Sequence, residues 1–83
     1  MNAIVIAVNH ALGAIVIELE DKSCAVLEAP NQFFVDIGDT LNGDWKSADM
    51  ISIQNTTKEN GLAAQVQKFT KTRDEAIGAI SLI

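Results

Sequence analysis

The amino-acid sequence predicts a mainly β fold, a small antiparallel barrel of five or six short strands with one C-terminal helix. Short apolar segments separated by turn residues recur along most of the 83 residues. Segment 13–20 alternates apolar and polar residues, which is typical of a half-buried strand. Near residue 72 the apolar period changes to that of a helix. Several short strands at regular spacing favour a small barrel.

The first three strands are predicted from the N-terminal 29 residues. Segment 3–8 is a continuous run rich in β-branched residues, which suits a strand covered on both faces. Segment 13–20 alternates, with Ile15 and Ile17 on one face and Val16 and Glu18 on the other. Asp21-Lys22 supplies a tight turn before the apolar segment 23–29. Residues 13–29 are therefore predicted to form a β-hairpin.

The remaining strands are shorter. Residues 33–37 place apolar side chains at alternate positions, and Gly38 can supply the positive φ that the following turn requires. Further short strands are predicted at 40–41, at 50–53 and at 62–69, separated by polar segments.

The C-terminal segment carries a helix start signal. Thr72 and Glu75 form a capping-box pattern, in which the threonine hydroxyl accepts a hydrogen bond from the third helical amide. Ala76, Ile77 and Ile80 follow at helical spacing. We therefore predict a helix over 73–83, and because so short a helix is marginal in water, its apolar face must dock on the barrel or on a neighbouring chain.

Length, charge and cysteine content limit the number of domains, the partners and the compartment that can be expected for this chain. Eighty-three residues suit a single domain, 1–83, with no room for a second core. Residues 1–57 carry eight acidic and two basic residues, and the net charge is −5. Such an acidic surface repels nucleic-acid phosphates. The lone Cys24 suits a reducing compartment, no apolar run can span a membrane, and no export signal is evident. These features indicate a cytoplasmic protein.

No catalytic, cofactor or metal site is predicted. The single histidine, His10, and the single cysteine, Cys24, show no spacing typical of nucleophilic catalysis or of a zinc site. No glycine pattern for a nucleotide is present. Four aspartates crowd one region but fail the EF-hand pattern, so they are interpreted as solvated turn residues. These are Asp36, Asp39, Asp44 and Asp49. The chain is therefore predicted not to be an enzyme.

Two kinds of partner are compatible with this composition. A non-catalytic binding or protein-interaction module of unknown ligand is the first hypothesis. The alternative is single-stranded nucleic-acid binding, which needs aromatic platforms flanked by cations. The residues available for it are Trp45, Lys46, Lys68, Phe69, Lys71 and Arg73.

The apolar end of the chain also predicts a homodimer. Ile80 and Leu82 point about 160° apart on a helix, so one docking surface cannot bury both. A second chain could cover what remains, and strand edges in an incompletely closed barrel offer another route to the same dimer. The predicted interface residues are Ile77, Ile80, Leu82 and Ile83.

The order of segments resembles a known type of small barrel. A strand, the alternating strand 13–20, a hairpin into 23–28 and then Val35-Asp36-Ile37-Gly38-Asp39 resemble the first half of OB-type barrels such as S1 and cold-shock domains. The resemblance implies an OB-like barrel, with an SH3-like barrel as the alternative. The second strand carries Val16, Glu18 and Glu20 outward, where the cold-shock family places aromatics that stack on RNA.

The whole length also resembles a group of short, uncharacterised bacterial proteins carried on mobile gene cassettes. The matching segments are Glu18-Leu19-Glu20-Asp21, Ile37 to Asp44, Asn55-x-Thr57 and Thr72-Arg73-x-x-Ala76. The resemblance implies a small, bacterial, cytoplasmic protein and carries no activity with it.

Overall fold

The computed structural model describes residues 1–30, 34–47 and 49–80, and it shows six strands followed by one helix. The elements are β1 (Asn2–Asn9), β2 (Ala14–Glu18), β3 (Cys24–Glu28), β4 (Thr40–Asn42), β5 (Ile51–Asn55), β6 (Asn60–Thr70) and α1 (Arg73–Ile80). The prediction of a mainly β chain with a small antiparallel barrel and one C-terminal helix is confirmed.

The six strands close into a barrel in the order β1-β2-β3-β6-β5-β4. Every pair of neighbouring strands is antiparallel. Because β4 lies beside β1, the first four strands have the 4-1-2-3 order of a Greek key. Closure gives each described strand a neighbour on both sides, so the expectation of an incompletely closed barrel is wrong.

The predicted hairpin is formed by β2 and β3, which pair from Ala14 opposite Glu28 to Glu18 opposite Cys24. In the turn, the Leu19 amide donates to the Ser23 carbonyl over 2.8 Å, and Lys22 takes a positive φ of 73°. An Asp21 carboxylate oxygen accepts from the Ser23 amide over 2.9 Å, as short turn aspartates do. The local sequence therefore determines both the turn and the register.

The interior of the barrel is the main hydrophobic core. It is built from alternate residues of the strands, because successive side chains point to opposite faces. Its buried members are Ala3, Val5, Ile15, Ile17, Ala25, Leu27, Ala29, Val35, Leu41, Trp45, Ile53 and Ala64.

A second hydrophobic cluster lies outside the barrel, beneath α1. It joins Ala76 and Ile80 of the helix to the outward-facing side chains of β2 and β3, namely Ala14, Val16, Cys24 and Val26. The sequence predicted that Val16 would lie on the exposed face of a half-buried strand, but the helix covers it completely. Strand β1 was predicted to be covered on both faces, yet only its second half packs against this cluster, and Ile4 is exposed.

The helix begins as its capping box predicts. The Glu75 amide donates to the Thr72 hydroxyl oxygen over 3.2 Å, which satisfies one of the free amides of the first turn. At the other end, the Asn9 side-chain amide donates to the Ile80 carbonyl over 2.6 Å. Hydrogen bonds therefore stabilise both ends of the helix. The N-terminal bond is local to the helix cap, and the C-terminal bond comes from β1.

Residues 34–39 form a loop, although residues 33–37 alternate like a strand. Val35 is buried in the main core, whereas Ile37 is 69% exposed, so the two do not share a buried face. Gly38 takes the predicted positive φ, at 96°, and its amide donates to the Val5 carbonyl over 2.8 Å. The loop is thus held against β1 just before β4 begins.

Candidate interaction surface

A groove runs between the C-terminal half of α1 and strands β3 and β6. Its volume is about 380 Å³, within the range of about 300–1,000 Å³ that is usual for ligand sites. The lining residues are Leu12, Ala14, Val26, Leu27, Glu28, Gln67, Lys68, Ala79 and Ile80. We call this site the helix groove.

The helix groove is mainly apolar with a charged rim. Leu12, in the loop between β1 and β2, is 47% exposed although it lines the groove. Glu28 and Lys68, one acid and one base, are both exposed at the rim, and neither forms an ion pair with any residue in the described ranges. The site therefore offers apolar surface together with two charges of opposite sign.

The walls of the groove are fixed to each other by Asn9. Its side-chain oxygen accepts from the Leu12 amide over 3.3 Å, and its side-chain amide donates to the Ile80 carbonyl at the end of α1. Gly13, with a φ of 66°, lies against Ala29, and an added Cβ would come within 2.8 Å of the Ala29 carbonyl oxygen. The loop that carries Leu12 is therefore held in one position, and the groove exists before any partner binds.

The residues predicted for nucleic-acid binding do not form one surface. Trp45 is 2% exposed in the main core, and its indole N–H donates to the Met1 carbonyl over 3.0 Å. Its ring therefore has no free face on which a base could stack. The sequence missed this burial because Trp45 follows the polar segment Asn42 to Asp44, which indicated an exposed turn.

Arg73, another residue predicted for nucleic-acid binding, forms an ion pair with Glu18. Its guanidinium donates to both carboxylate oxygens of Glu18, over 2.7 and 2.9 Å, and the hydrogen bond from Arg73 lowers the pKa of Glu18. Phe69 is 52% exposed. The lysines at positions 46, 68 and 71 are exposed as well. Of the predicted set, Lys68, Phe69 and Lys71 are exposed on or just after β6. Lys68 and Phe69 are consecutive residues of the strand, so their side chains point to opposite faces.

We expect single-stranded oligonucleotides to leave the emission of Trp45 unchanged. The indole is buried and its N–H is occupied, so a bound base cannot contact it. The measurement is a fluorescence titration at low and high salt, since phosphate contacts weaken as salt rises. Salt-sensitive quenching of Trp45 would contradict the packing described above.

The residues predicted for a dimer interface differ in burial, and two of them lie outside the described residues. Ile80 is 5% exposed and packs in the second cluster, whereas Ile77 is 37% exposed. With 100° per residue, Ile77 and Ala79 lie about 160° apart around α1, so Ile77 is on the flank away from the helix groove. Leu82 and Ile83 lie outside the described residues. The interpretation of Ile80 as an interface residue is thus replaced by a core role.

Asp39 is not the solvated turn residue that the sequence predicted. Its side chain is 7% exposed, and one carboxylate oxygen accepts from the Asn55 side chain over 2.8 Å and from the Asp36 amide over 3.0 Å. The Lys58 ammonium contacts the same oxygen and also lies 2.9 Å from Asp36. Burial alone would raise the pKa of Asp39, but these hydrogen bonds and the Lys58 charge lower it to about 2. This Asp39 network joins the β5–β6 turn to the loop before β4.

Two titratable side chains, Cys24 and Asp39, are poorly suited to catalysis. Cys24 is fully buried, and that burial raises the pKa of its thiol, so the thiolate needed for attack is scarce. A carboxylate with a pKa near 2, like that of Asp39, is a weak general base at neutral pH. Within the described ranges, no three side chains of His, Cys, Asp or Glu come together in a way that could hold a metal ion.

Comparison with protein-family models, with curated proteins and with solved structures finds no match for this chain. Across residues 1–30, 34–47 and 49–80, no helix has the length and apolar character needed to cross a membrane. Among the described residues, the helix groove is a structural feature that can support a function. Sequence reasoning missed it because its lining residues come from five separate segments, and only Leu12, an apolar residue in a turn, gave a local signal.

Proposed function

We propose that this protein is a non-catalytic binding module that holds an apolar segment of a protein partner in the helix groove. The observation that carries the proposal is Leu12, a large apolar side chain left 47% exposed at the edge of a preformed apolar groove. Contiguous apolar surface with a polar rim is characteristic of interaction sites, and Leu12 is continuous with the apolar lining of the groove. Glu28 and Lys68 at that rim would orient a charged residue next to the bound apolar side chain.

The rigidity of the groove supports specific binding of a partner, as opposed to non-specific hydrophobic association. Leu12 and Ile80 are both tied to Asn9 by hydrogen bonds, so little conformational freedom is lost when a partner enters. A binding module of this kind also fits a reducing, cytoplasmic environment, in which the lone Cys24 stays a thiol. The proposed bacterial origin rests on the resemblance to cassette-borne proteins.

Selection from a displayed library of random peptides tests the proposal. We expect peptides that bind the immobilised protein to share one or two large apolar residues beside a charged residue. Their binding should weaken by about a hundredfold in Leu12→Glu, because a carboxylate would then lie in the apolar groove and lose its hydration. The matched control is Ile37→Glu, which makes the same replacement at a side chain that is 69% exposed and outside the groove.

The control separates the groove from other apolar surface. Peptides should bind Ile37→Glu as they bind the unaltered protein, and urea titration should show that both variants stay folded. If no peptide is enriched on protein that light scattering shows to be monomeric, or if the enriched peptides bind Leu12→Glu with unchanged affinity, the helix groove is not the binding site.

A further inference from the structure

We infer that the partner in the helix groove is a second copy of this chain, which presents the same groove across a two-fold axis. This inference rests on the proposed function, because it names the occupant of the same site. A two-fold interface is self-complementary: if residue i contacts residue j of the second copy, then j contacts i in return. The surface around the groove has this property in its charges and in its shape.

The charges at the rim are matched for self-pairing. Glu28 is the last residue of β3 and Lys68 lies near the end of β6, and neither has an ionic partner among the described residues of its own chain. A two-fold axis that passes between Glu28 and Lys68 would place Glu28 of each copy against Lys68 of the other, which forms two ion pairs from one acid and one base in each chain. Complementary charges of this kind set the register of an interface and exclude wrong partners.

The shape is matched as well. Leu12 lines the groove with nearly half of its surface exposed, so each copy offers one accessible apolar side chain and, beside it, a cavity of about 380 Å³. Two such surfaces face to face bury both Leu12 side chains and remove the exposed apolar surface at once. The small size of the domain favours this outcome, since a chain of this length buries only about 60–65% of its surface alone.

The experiment uses charge reversal in the full chain, with mass measured by light scattering and sedimentation. We expect the unaltered protein to be dimeric at micromolar concentrations. Glu28→Lys alone would place four positive charges at the interface, and Lys68→Glu alone would place four negative ones. Each single variant should weaken dimerisation by at least about tenfold, because like charges would then face each other.

Mixing the two single variants is the decisive step. Glu28→Lys and Lys68→Glu, each weakened alone, should form a one-to-one heterodimer, because every charge then meets its opposite across the axis. Loss of folding cannot produce this result, and neither can contact between charges within one chain. The double variant with both replacements should dimerise like the unaltered protein.

Several results would overturn the inference. A protein that stays monomeric at high micromolar concentration, while groove-binding peptides are still found, has a different partner in the groove, and the proposed function survives. A dimer that is unaffected by Leu12→Glu and by either charge reversal forms elsewhere on the surface. If neither peptides nor a second copy bind, the proposed function fails too.

Discussion

Replacement of Ile80 by glutamate is expected to destabilise the protein by about 3 kcal/mol, a large part of the roughly 5–10 kcal/mol available to a domain of this size. Ile80 is 5% exposed and anchors α1 in the second cluster. The variant loses the burial of an isoleucine, worth about 1.5–3 kcal/mol, and forces a carboxylate toward apolar surface. The measurement is the free energy of unfolding from urea titration.

Ile77→Glu provides the matched control on the same helix. Ile77 is 37% exposed and does not belong to the second cluster, so the same replacement should cost less than about 1 kcal/mol. The difference between the two variants isolates the docked face of α1 from any change in helix propensity. Equal losses in both would mean that α1 does not rest on β2 and β3 through Ala76 and Ile80.

Asp39→Ala is expected to cost about 2–4 kcal/mol, although the position reads from the sequence as an ordinary turn aspartate. The replacement removes the acceptor for the Asp36 amide, the Asn55 side chain and the Lys58 ammonium. Asn55 is fully buried, so its amide would be left without this partner and could not turn to solvent. Urea titration measures the loss, and Asp49→Ala, an exposed aspartate in the same region, should change stability by less than about 0.5 kcal/mol.

The Asp39 network also predicts how stability depends on pH. The pKa of Asp39 is lowered from 3.8 to about 2 on folding, so its contribution is fully present above pH 3.8 and is lost as the pH falls toward 2. At 1.36 kcal/mol per unit, that contribution is about 2 kcal/mol. Glu18 and Asp21 also have lowered pKa values, so the unaltered protein loses further stability in acid.

The comparison with Asp39→Asn isolates the single carboxylate. Between pH 4 and pH 2, unfolding free energy should fall more steeply in the unaltered protein than in Asp39→Asn, which has no proton to gain at this position. Parallel pH profiles for the two proteins would show that Asp39 has an ordinary pKa and that the network contributes nothing through its charge.

Where sequence reasoning succeeded, the signals were local. The β2–β3 hairpin follows from two alternating segments and a turn in which Asp21 bonds to Ser23, only two residues away. The start of α1 follows from Thr72 and Glu75, which are three residues apart. Gly38 was identified by the backbone conformation that its turn needs. In each case the interacting groups lie within one turn or one hairpin, so the order of residues is sufficient.

The predictions that failed concern contacts between distant parts of the chain. Trp45 reads as an exposed aromatic residue, but its N–H bonds to the carbonyl of Met1, 44 residues earlier. Asp39 reads as a turn residue, but it meets Asn55 and Lys58, which are 16 and 19 residues away. Burial of these side chains depends on which strands become neighbours, and a local pattern of polar residues carries no information about that.

The sequence by itself determined the class of the fold, the number and sites of most strands, and the position of the C-terminal helix, because hydrophobic period and turn chemistry act over a few residues. Closure of the barrel was decided only by the pairing of β1 with β4 and of β3 with β6. That closure buries Trp45 and Asp39 and leaves β2 and β3 to be covered by α1. The helix groove is a consequence of the same packing: Asn9 bonds to Ile80, 71 residues away, and only then do Leu12, Glu28 and Lys68 surround one site.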